Sequence, residues 1–179
     1  ALVKATIHEI GAAQTLDVTV GQIAKRAGMS TALAHHYFGG KNQIFLAAMR
    51  YILTEYSAQV RYHLVRATTP RGRAEAIIIG SFDEACFAPS TVCAWMSLYA
   101  AAPNQPETKR LLTLHQARLR SNLTHALRPL SATPQADADV MAALIDGLYL
   151  RAALSDAISG EAAKAAALNT LSHLLKDQE

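Results

Sequence analysis

Prolines and glycines divide this chain into stretches of ordinary helix length, and this spacing constrains its fold more than any other feature. Proline lacks a backbone donor and glycine favours turns, so both residues commonly end helices. β-Branched residues are not concentrated in runs that would build strands, and alanine, a strong helix former, is the most common residue. The sequence therefore predicts an all-α protein.

The pattern predicts nine helices, three short ones followed by six longer ones. They span about residues 1–12, 20–27, 31–38, 43–66, 73–86, 90–102, 106–128, 135–156 and 160–176. We expect Asn42 to cap the fourth helix and residues 69–72 to form a break. Only the step into the fourth helix separates zones of different helix length. The predicted domains are therefore residues 1–42 and 43–179.

Positive charge is concentrated at the start of the chain. The first fifty residues carry five lysines and arginines against two acidic residues, whereas the remainder carries twelve of each. A basic region beside a neutral body is typical of a module that binds a polyanion such as nucleic acid. With 51% hydrophobic and 17% charged residues, the chain is too apolar for intrinsic disorder.

The sequence carries no pattern of a membrane span, a metal site or a catalytic centre. Prolines interrupt the longest uncharged stretch, Ala85 to Pro106, so we expect it to contain a buried central helix instead of a span. Cys86 and Cys93 have the spacing of neither a disulfide framework nor a zinc site, and are expected to be free thiols in a reducing cytoplasm. No motif accompanies the scattered histidines, so we expect no metal, no cofactor and no enzyme activity.

Residues 19–38 carry the signals of a helix-turn-helix. Thr19 and Gln22 have the spacing of a capping box, which starts the first helix. Gly28 supplies the positive φ that ends this helix, and Ser30 caps the next one. The predicted inner faces are Ile23, Ala24 and Ala27 on the first helix and Leu33, Ala34, Tyr37 and Phe38 on the second, with Met29 filling the core beneath the turn.

The remaining side chains of the second helix are then expected to point outward. Short polar residues there let a recognition helix approach the major groove, where hydroxyls and imidazoles bond base edges or phosphates and a methyl group contacts thymine. Tyr37 and Lys41 would fasten the helix to phosphate oxygens. The predicted DNA-binding residues are Thr19, Ser30, Thr31, Ala32, His35, His36, Tyr37 and Lys41. An ordinary αα-hairpin is the alternative interpretation of this segment.

The stretch TVGQIAKRAGMSTALAHHYFGGKNQIF resembles the N-terminal domain of the TetR family of one-component repressors, whose pattern ends in Tyr-Phe-x-x-Lys before the fourth helix. The resemblance implies that the first three helices bind double-stranded DNA. It also implies that about six further helices form a ligand-binding and dimerising body.

Five later segments resemble the choline-responsive BetI type of repressor within this family. They are GSFDEA (80–85), AWMSLYA (94–100), NQP (104–106), RSNL (120–123) and ALIDGLYLRAALS (143–155). This second resemblance implies repression of genes that convert choline to the osmoprotectant glycine betaine. It further implies release of the operator by choline or a related quaternary ammonium.

Aromatic and acidic side chains of the body form a candidate effector site. Trp95 and Tyr99 are four residues apart and share one face of the sixth helix. Asp146 interrupts an apolar run, where a lone carboxylate is costly unless it has a partner. A quaternary ammonium donates no hydrogen bond, so aromatic rings and a negative charge suit it. The predicted ligand-binding residues are Phe82 and Asp83, placed on the fifth helix, Trp95 and Tyr99, and Asp146 with Tyr149 on the eighth helix.

The eighth and ninth helices carry apolar faces too wide for one body to bury, which predicts a two-fold, four-helix dimer interface. Its predicted residues are Leu144, Leu148, Leu168, Leu171 and Leu175. A symmetric homodimer presents two recognition helices to successive major grooves and requires a palindromic operator. We expect effector binding to tilt the fourth helix and spoil this spacing.

Other interpretations of these features stay open at this point. The aromatic residues can be ordinary core, and Asp146 can pair with Arg118 or Arg151. The effector of a TetR-family repressor can be an unrelated small hydrophobic molecule. A helical small-molecule-binding protein or enzyme without a DNA role is an alternative from a different class, and a protein-interaction module is a third. Strongly salt-dependent binding to a palindrome, or substrate turnover, separates the repressor from the enzyme or carrier. A protein-interaction module would show an exposed apolar groove instead of a basic face.

Overall fold

The computed structural model describes residues 1–13, 17–155 and 158–176, and their regular structure is entirely helical. The nine α-helices of this described part are α1 (Leu2–Ala13), α2 (Val20–Arg26), α3 (Thr31–Phe38), α4 (Lys41–Arg66), α5 (Pro70–Ser81), α6 (Pro89–Ala101), α7 (Pro106–Leu127), α8 (Pro134–Leu154) and α9 (Gly160–Lys176). A 3-10 helix, Ala102–Asn104, follows α6. The all-α prediction is confirmed.

Helix α4 begins two residues earlier than the sequence pattern predicts. The carbonyl of Gly40 accepts hydrogen bonds from the backbone N–H groups of Gln43 and Ile44, both at 3.1 Å. Lys41 is therefore the first helical residue, and Asn42 lies inside the helix. The prediction that Asn42 caps this helix is wrong, because the preceding glycine already accepts the first helical bond.

Helix α5 spans residues 70–81 instead of the predicted 73–86. The hydroxyl of Thr69 accepts a hydrogen bond from the N–H of Gly72 at 3.0 Å, and Pro70 occupies the first helical position. The expected break is thus the start of the helix, because proline is well suited to a first turn. After Ser81 the carboxylate of Asp83 accepts from the N–H of Ala85 at 3.1 Å in a local turn.

The turn at Asp83 places Phe82 and Asp83 after α5 and not on it, which corrects the prediction for both residues. Phe82 is the C-cap of the helix. Helix α8, predicted to reach residue 156, ends at Leu154. Residue 156 itself lies outside the described part of the chain.

The described residues divide into two compact units. The first comprises the described residues of Ala1–Thr54 and Ala88–Leu112, and the second comprises those of Glu55–Phe87 and Thr113–Glu179. The division after residue 42 into a DNA-binding part and an effector-binding part stays a prediction.

Close helix packing characterises the first unit. Helix α1 packs against α2 and α6, and α2 packs against α3. A Cβ added to Gly11 of α1 would lie 2.6 Å from the Cα of Ser90 in α6, so only glycine permits this approach. One turn further along α6, the thiol of Cys93 lies 3.5 Å from the carbonyl oxygen of Ile10. The backbones of α1 and α6 are therefore almost in contact.

The second unit has its own core, in which α5 and α8 both pack against α9. Its fully buried side chains include Ile77, Ile78, Leu123, Met141 and Leu171. A second close approach joins α5 to α4, because a Cβ on Gly80 would lie 2.8 Å from the Cα of Val60.

The long uncharged stretch of the sequence forms α6, a buried helix as predicted. Thr91, Val92, Ala94, Trp95 and Leu98 are its buried residues. Among the described helices, none combines the length and the hydropathy required to cross a bilayer.

Candidate nucleic-acid interface and effector site

The caps of the helix-turn-helix are formed as the sequence predicts. The hydroxyl of Thr19 accepts from the N–H of Gln22 at 3.2 Å, and the side chain of Gln22 accepts from the N–H of Thr19 at 2.7 Å. Gly28 adopts a φ of 70°, which ends α2. The hydroxyl of Ser30 then accepts from the N–H of Leu33 at 3.2 Å and starts α3. These local bonds fix the turn between the two helices.

Helix α3 is far more exposed than its apolar residues suggest. Ala34 is its one buried residue, whereas Leu33 is 42% exposed and Tyr37 is 70% exposed. The predicted inner face is therefore wrong for Leu33 and Tyr37. On α2 the buried residues are Val20, Ile23 and Ala24, so burial between these helices is concentrated on α2, and on α3 the small Ala34 alone is buried.

The predicted outward residues of α3, Thr31, Ala32, His35 and His36, are all exposed. His35 is fixed by its Nδ1, which lies 2.8 Å from the carbonyl oxygen of Gly39. Since a carbonyl only accepts, Nδ1 carries the proton and Nε2 of the neutral ring is an acceptor. Neutral His35 thus presents an acceptor to a partner, and the ring donates from Nε2 only when it is charged. His36 and Tyr37 form an edge-to-face pair with ring centroids 5.6 Å apart.

Lys41, the first residue of α4, follows α3 after two glycines, and the sequence predicts that it contacts a phosphate. Its ammonium lies 3.9 Å from a carboxylate oxygen of Asp17 and 5.5 Å from the ring centroid of Phe45. The side chain of Asp17 is 97% exposed, so this ion pair contributes little stability. A DNA phosphate can therefore replace Asp17 as the partner of Lys41 with little loss of free energy.

Three aromatic residues of the second unit form a buried cluster: Phe82, Phe87 and Tyr149. The ring centroid of Phe87 lies 5.4 Å from that of Phe82 and 4.9 Å from that of Tyr149. The Tyr149 hydroxyl donates to the carbonyl of Ser81 at 2.6 Å. Sequence reasoning missed Phe87, because the fifth helix was expected to carry this segment and Phe87 lies beyond that predicted end.

Polar groups of the same unit surround Tyr56. The hydroxyl of Ser81 lies 3.5 Å from the Tyr56 hydroxyl, and the ring of His115 meets the Tyr56 ring edge-on at 5.0 Å. Burial, with a smaller contribution from the charge of Asp146, raises the pKa of Tyr56 to about 12. Burial, assisted by Arg118, lowers the pKa of His115 to about 4. Tyr56 and His115 are therefore both uncharged at neutral pH.

Trp95 and Tyr99 belong to the first unit, where they share one face of α6 as predicted. Their ring centroids are 6.1 Å apart. Trp95 is buried and Tyr99 is half-buried. That these rings serve the same effector as Phe82, Asp83, Asp146 and Tyr149 stays a prediction.

The predicted interface residues differ in burial within the chain. Leu148, Leu171 and Leu175 are buried, whereas Leu144 and Leu168 are half-buried. The outer surface of α8 adds exposed apolar side chains outside that predicted set: Val140 and Leu150 are each 49% exposed and Leu154 is 77% exposed. The part of the chain that the structure describes contains no group of three or more residues able to hold a metal ion.

An exposed recognition helix held by two caps and followed by a helical body defines a DNA-binding transcriptional regulator of the helix-turn-helix class. Residues 2–48 match the family described as bacterial regulatory proteins, tetR family. Residues 70–176 match the family described as BetI-type transcriptional repressor, C-terminal. The chain belongs to the TetR family and, within it, to the BetI-type transcriptional regulators.

Individual relatives agree with this membership. The chain is 46% identical over 169 residues to the HTH-type transcriptional regulator BetI of Brucella anthropi, which covers 93% of this chain and 87% of the relative. The curated relatives are regulators and not enzymes, as the sequence predicts.

Solved structures support the fold. A transcriptional regulator from Rhodococcus sp. Rha1 superposes with a TM-score of 0.87 at 22% identity, covering 98% of this chain and 95% of that one. A transcriptional regulator from Saccharomonospora viridis, solved in complex with choline, superposes with a TM-score of 0.85 at 18% identity, covering 96% and 94%.

Proposed function

We propose that this regulator is a homodimeric repressor that binds a palindromic operator in the cytoplasm and is released by choline or a related quaternary ammonium. The observation that carries the DNA half of this proposal is the exposure of α3, whose outward face remains free for a partner. Genes of the conversion of choline to glycine betaine are the proposed targets, in keeping with the BetI-type family.

The chemistry of α3 suits a major groove. Thr31 and Ala32 are short side chains at its first turn, so the helix backbone can approach the bases closely. The Nε2 acceptor of neutral His35 suits the amino groups of adenine or cytosine. Tyr37 in the last turn of α3 and Lys41 at the start of α4 are the proposed phosphate contacts. Thr19 and Ser30, the N-caps of α2 and α3, are further proposed contacts.

Choline is the proposed effector for three reasons. The curated relatives are named BetI, and the Saccharomonospora viridis regulator is solved in complex with choline. The third reason is the environment of Asp146, a half-buried residue whose charge acts on the buried, uncharged Tyr56. A carboxylate and aromatic faces attract a cation that cannot donate hydrogen bonds. An effector releases the operator only to the extent that it binds the conformation unable to bind DNA more tightly than the conformation that binds DNA.

Homodimerisation through α8 and α9 is supported by the apolar surface of α8. Leu150 and Leu154 are exposed large apolar residues one turn apart, and Leu144 lies on the same helix. Burial of such surface against a symmetry-related copy removes it from water. Sedimentation velocity of the wild type and of Leu150→Glu tests this arrangement, since a charge in the interface is expected to produce monomers.

Operator binding is tested by fluorescence anisotropy with a labelled palindrome from the upstream region of the gene. Tyr37→Ala is expected to weaken operator binding about tenfold, because it removes the hydrogen bond from the tyrosine hydroxyl to a phosphate and the ring that keeps water from that bond. Tyr62→Ala is the matched control, since Tyr62 is a 53% exposed tyrosine of the second unit. Equal affinity of the two variants for the operator would contradict the assignment of Tyr37.

Effector identity is tested with choline and its uncharged isostere 3,3-dimethylbutanol in the same assay. Choline is expected to release the operator and the isostere is not, because only choline carries the charge that Asp146 attracts. The single tryptophan, Trp95, provides an independent fluorescence signal for ligand binding. Asp146→Asn is expected to weaken choline binding about tenfold while preserving shape. Equal release by both compounds would instead favour an unrelated small hydrophobic effector.

A further inference from the structure

A cavity of about 530 Å³ opens in the second compact unit, outside the residues assigned to choline. Residues of α7 form most of its wall, and the rest comes from Leu64 of α4, Arg73 and Ile77 of α5, Arg128 just after α7 and Gln135 of α8. Its volume is that of a site for a small molecule.

The residues that line this cavity differ from those assigned to choline. Its lining includes none of the described residues Phe82, Asp83, Trp95, Tyr99, Asp146 and Tyr149. The lining residue nearest in sequence to the aromatic cluster is Ile77, whose carbonyl accepts a hydrogen bond from the Ser81 hydroxyl at 2.9 Å. A ligand of this cavity therefore contacts a different set of side chains from the proposed effector.

The lining of the cavity is strongly basic. It includes three arginines, Arg73, Arg120 and Arg128, together with His125, and among the described residues that line it none is acidic. Residues 51–179 as a whole carry equal numbers of acidic and basic side chains. The positive charge of the cavity is thus a local concentration in an otherwise balanced body.

Two of the three arginines have no counterion in the described part of the chain. Arg120 is held by Asp139, with Nη2 donating to a carboxylate oxygen at 2.8 Å. Arg73 and Arg128 form no ion pair with any described residue. Two like charges at one concave surface repel each other, and an anion between them removes this repulsion.

Uncharged residues of the lining define the rest of the ligand. The amide of Asn122 and the hydroxyl of Thr124 offer further donors, while Leu64 and Ile77 provide apolar surface. All three cations at Arg73, Arg120 and Arg128 are guanidinium groups, whose planar fork matches a carboxylate or a phosphate better than an ammonium does.

We infer that this cavity binds a small organic anion with a carboxylate or phosphate head and a short apolar portion. This ligand is opposite in charge to the proposed effector and distinct from it.

Isothermal titration calorimetry of the full chain tests the inference with three probes: inorganic phosphate, phenyl phosphate and butyrate. Ionic strength is held constant with sodium chloride, because screening weakens every ion pair. We expect phenyl phosphate to bind more tightly than inorganic phosphate, because its ring contacts Leu64 and Ile77. The comparison of phenyl phosphate with butyrate identifies which head group the arginines prefer. Binding of all three probes no tighter than that of chloride would overturn the inference.

Charge-removing variants locate the site. The double variant Arg73→Gln, Arg128→Gln is expected to weaken phenyl phosphate binding about tenfold or more, since both unpaired guanidinium groups are lost. Arg61→Gln is the matched control, because Arg61 is an exposed arginine of the same unit outside the lining. An equal loss in the control, or no loss in the double variant, would show that the cavity is not the site.

A conservative variant and a spectroscopic signal separate binding from folding. Arg73→Lys keeps the charge but loses the fork, so its affinity is expected to lie between those of the wild type and the double variant. In nuclear magnetic resonance spectra the side-chain amide signal of Asn122 is expected to shift with phenyl phosphate. An unshifted Asn122 signal at saturation contradicts the inference. Choline binding in the Trp95 fluorescence assay is expected to be the same in all these variants, so failure of either proposal leaves the other intact.

Discussion

Helices α3 and α5 show how differently two short helices of one chain can be stabilised. Helix α3 buries one of its eight residues, Ala34, whereas α5 buries six of its twelve. The order of α3 must therefore come from its caps and from its contact with α2, because removal of apolar surface from water contributes little there. A helix held in this way keeps its side chains available for a partner, while a helix such as α5 uses them for the core.

The contrast is tested most strongly by truncating one large apolar residue in each helix. Ile78→Ala in α5 is expected to lower the free energy of unfolding by about 2–5 kcal/mol, because Ile78 is fully buried and its loss leaves a cavity. Leu33→Ala in α3 is expected to lower it by less than about 1 kcal/mol, since Leu33 is 42% exposed. Urea unfolding followed by circular dichroism gives both values. Similar losses in the two variants would mean that α3 is buried in solution.

Acid titration extends the contrast to histidines. Folding lowers the pKa of His115 to about 4 from an ordinary value near 6.5, so the unfolded chain binds the proton more readily. The contribution of His115 is fully present above pH 6.5 and is lost as the pH falls toward 4, by roughly 3 kcal/mol at most. His115→Gln is expected to flatten this part of the stability curve. His36→Gln alters an exposed residue of α3 and is the matched control. Equal curves for the two variants would show that His115 does not cause the loss of stability in acid.

Glycine-to-alanine substitutions compare the packing of α5 with that of α2 in the DNA-binding motif. Gly80→Ala in α5 is expected to lower the free energy of unfolding by about 1–3 kcal/mol, because the new Cβ would lie 2.8 Å from the backbone of Val60. Gly21→Ala in α2 is expected to be neutral or stabilising by up to about 1 kcal/mol, since the nearest atoms are at ordinary contact distances. Thermal unfolding of both variants measures the difference. A tolerated Gly80→Ala would show that α4 and α5 can separate without cost.

The smallest effect is expected at a cap. Thr19→Ala removes the acceptor for the N–H of Gln22 and is expected to cost about 1 kcal/mol. Thr31→Ala, at an exposed position that caps nothing, serves as the control. The free energies of unfolding of the two variants are compared in urea. A cost no greater than that of the control would mean that the cap is dispensable for α2.

Features that depend on adjacent residues could be predicted from the sequence. Thr19, Gln22, Gly28 and Ser30 act on neighbouring backbone groups, and each occupies the role that its spacing indicates. Most helix limits follow for the same reason. The largest departure is α5, where Thr69 and Pro70 predict a break although the pair is also a good helix start. A smaller one is α4, which begins at Lys41 without a cap from Asn42.

Features that depend on tertiary packing could not be predicted in this way. The burial of Leu33 and Tyr37 depends on what lies beside α3, and no periodicity within eight residues reports that. Phe87 joins the aromatic cluster through a turn whose path the sequence does not specify. The arginines of the basic cavity are separated by up to 55 positions, so only the folded chain brings them together.

The close approach of Gly11 and Ser90 has a consequence for recombining regulators of this family. The distance between α1 and α6 depends on one position without a side chain and on one very small side chain. A chimera that takes α1 from one homologue and α6 from another must retain this complementary pair, or its first helix will be displaced whatever the compatibility of its other contacts.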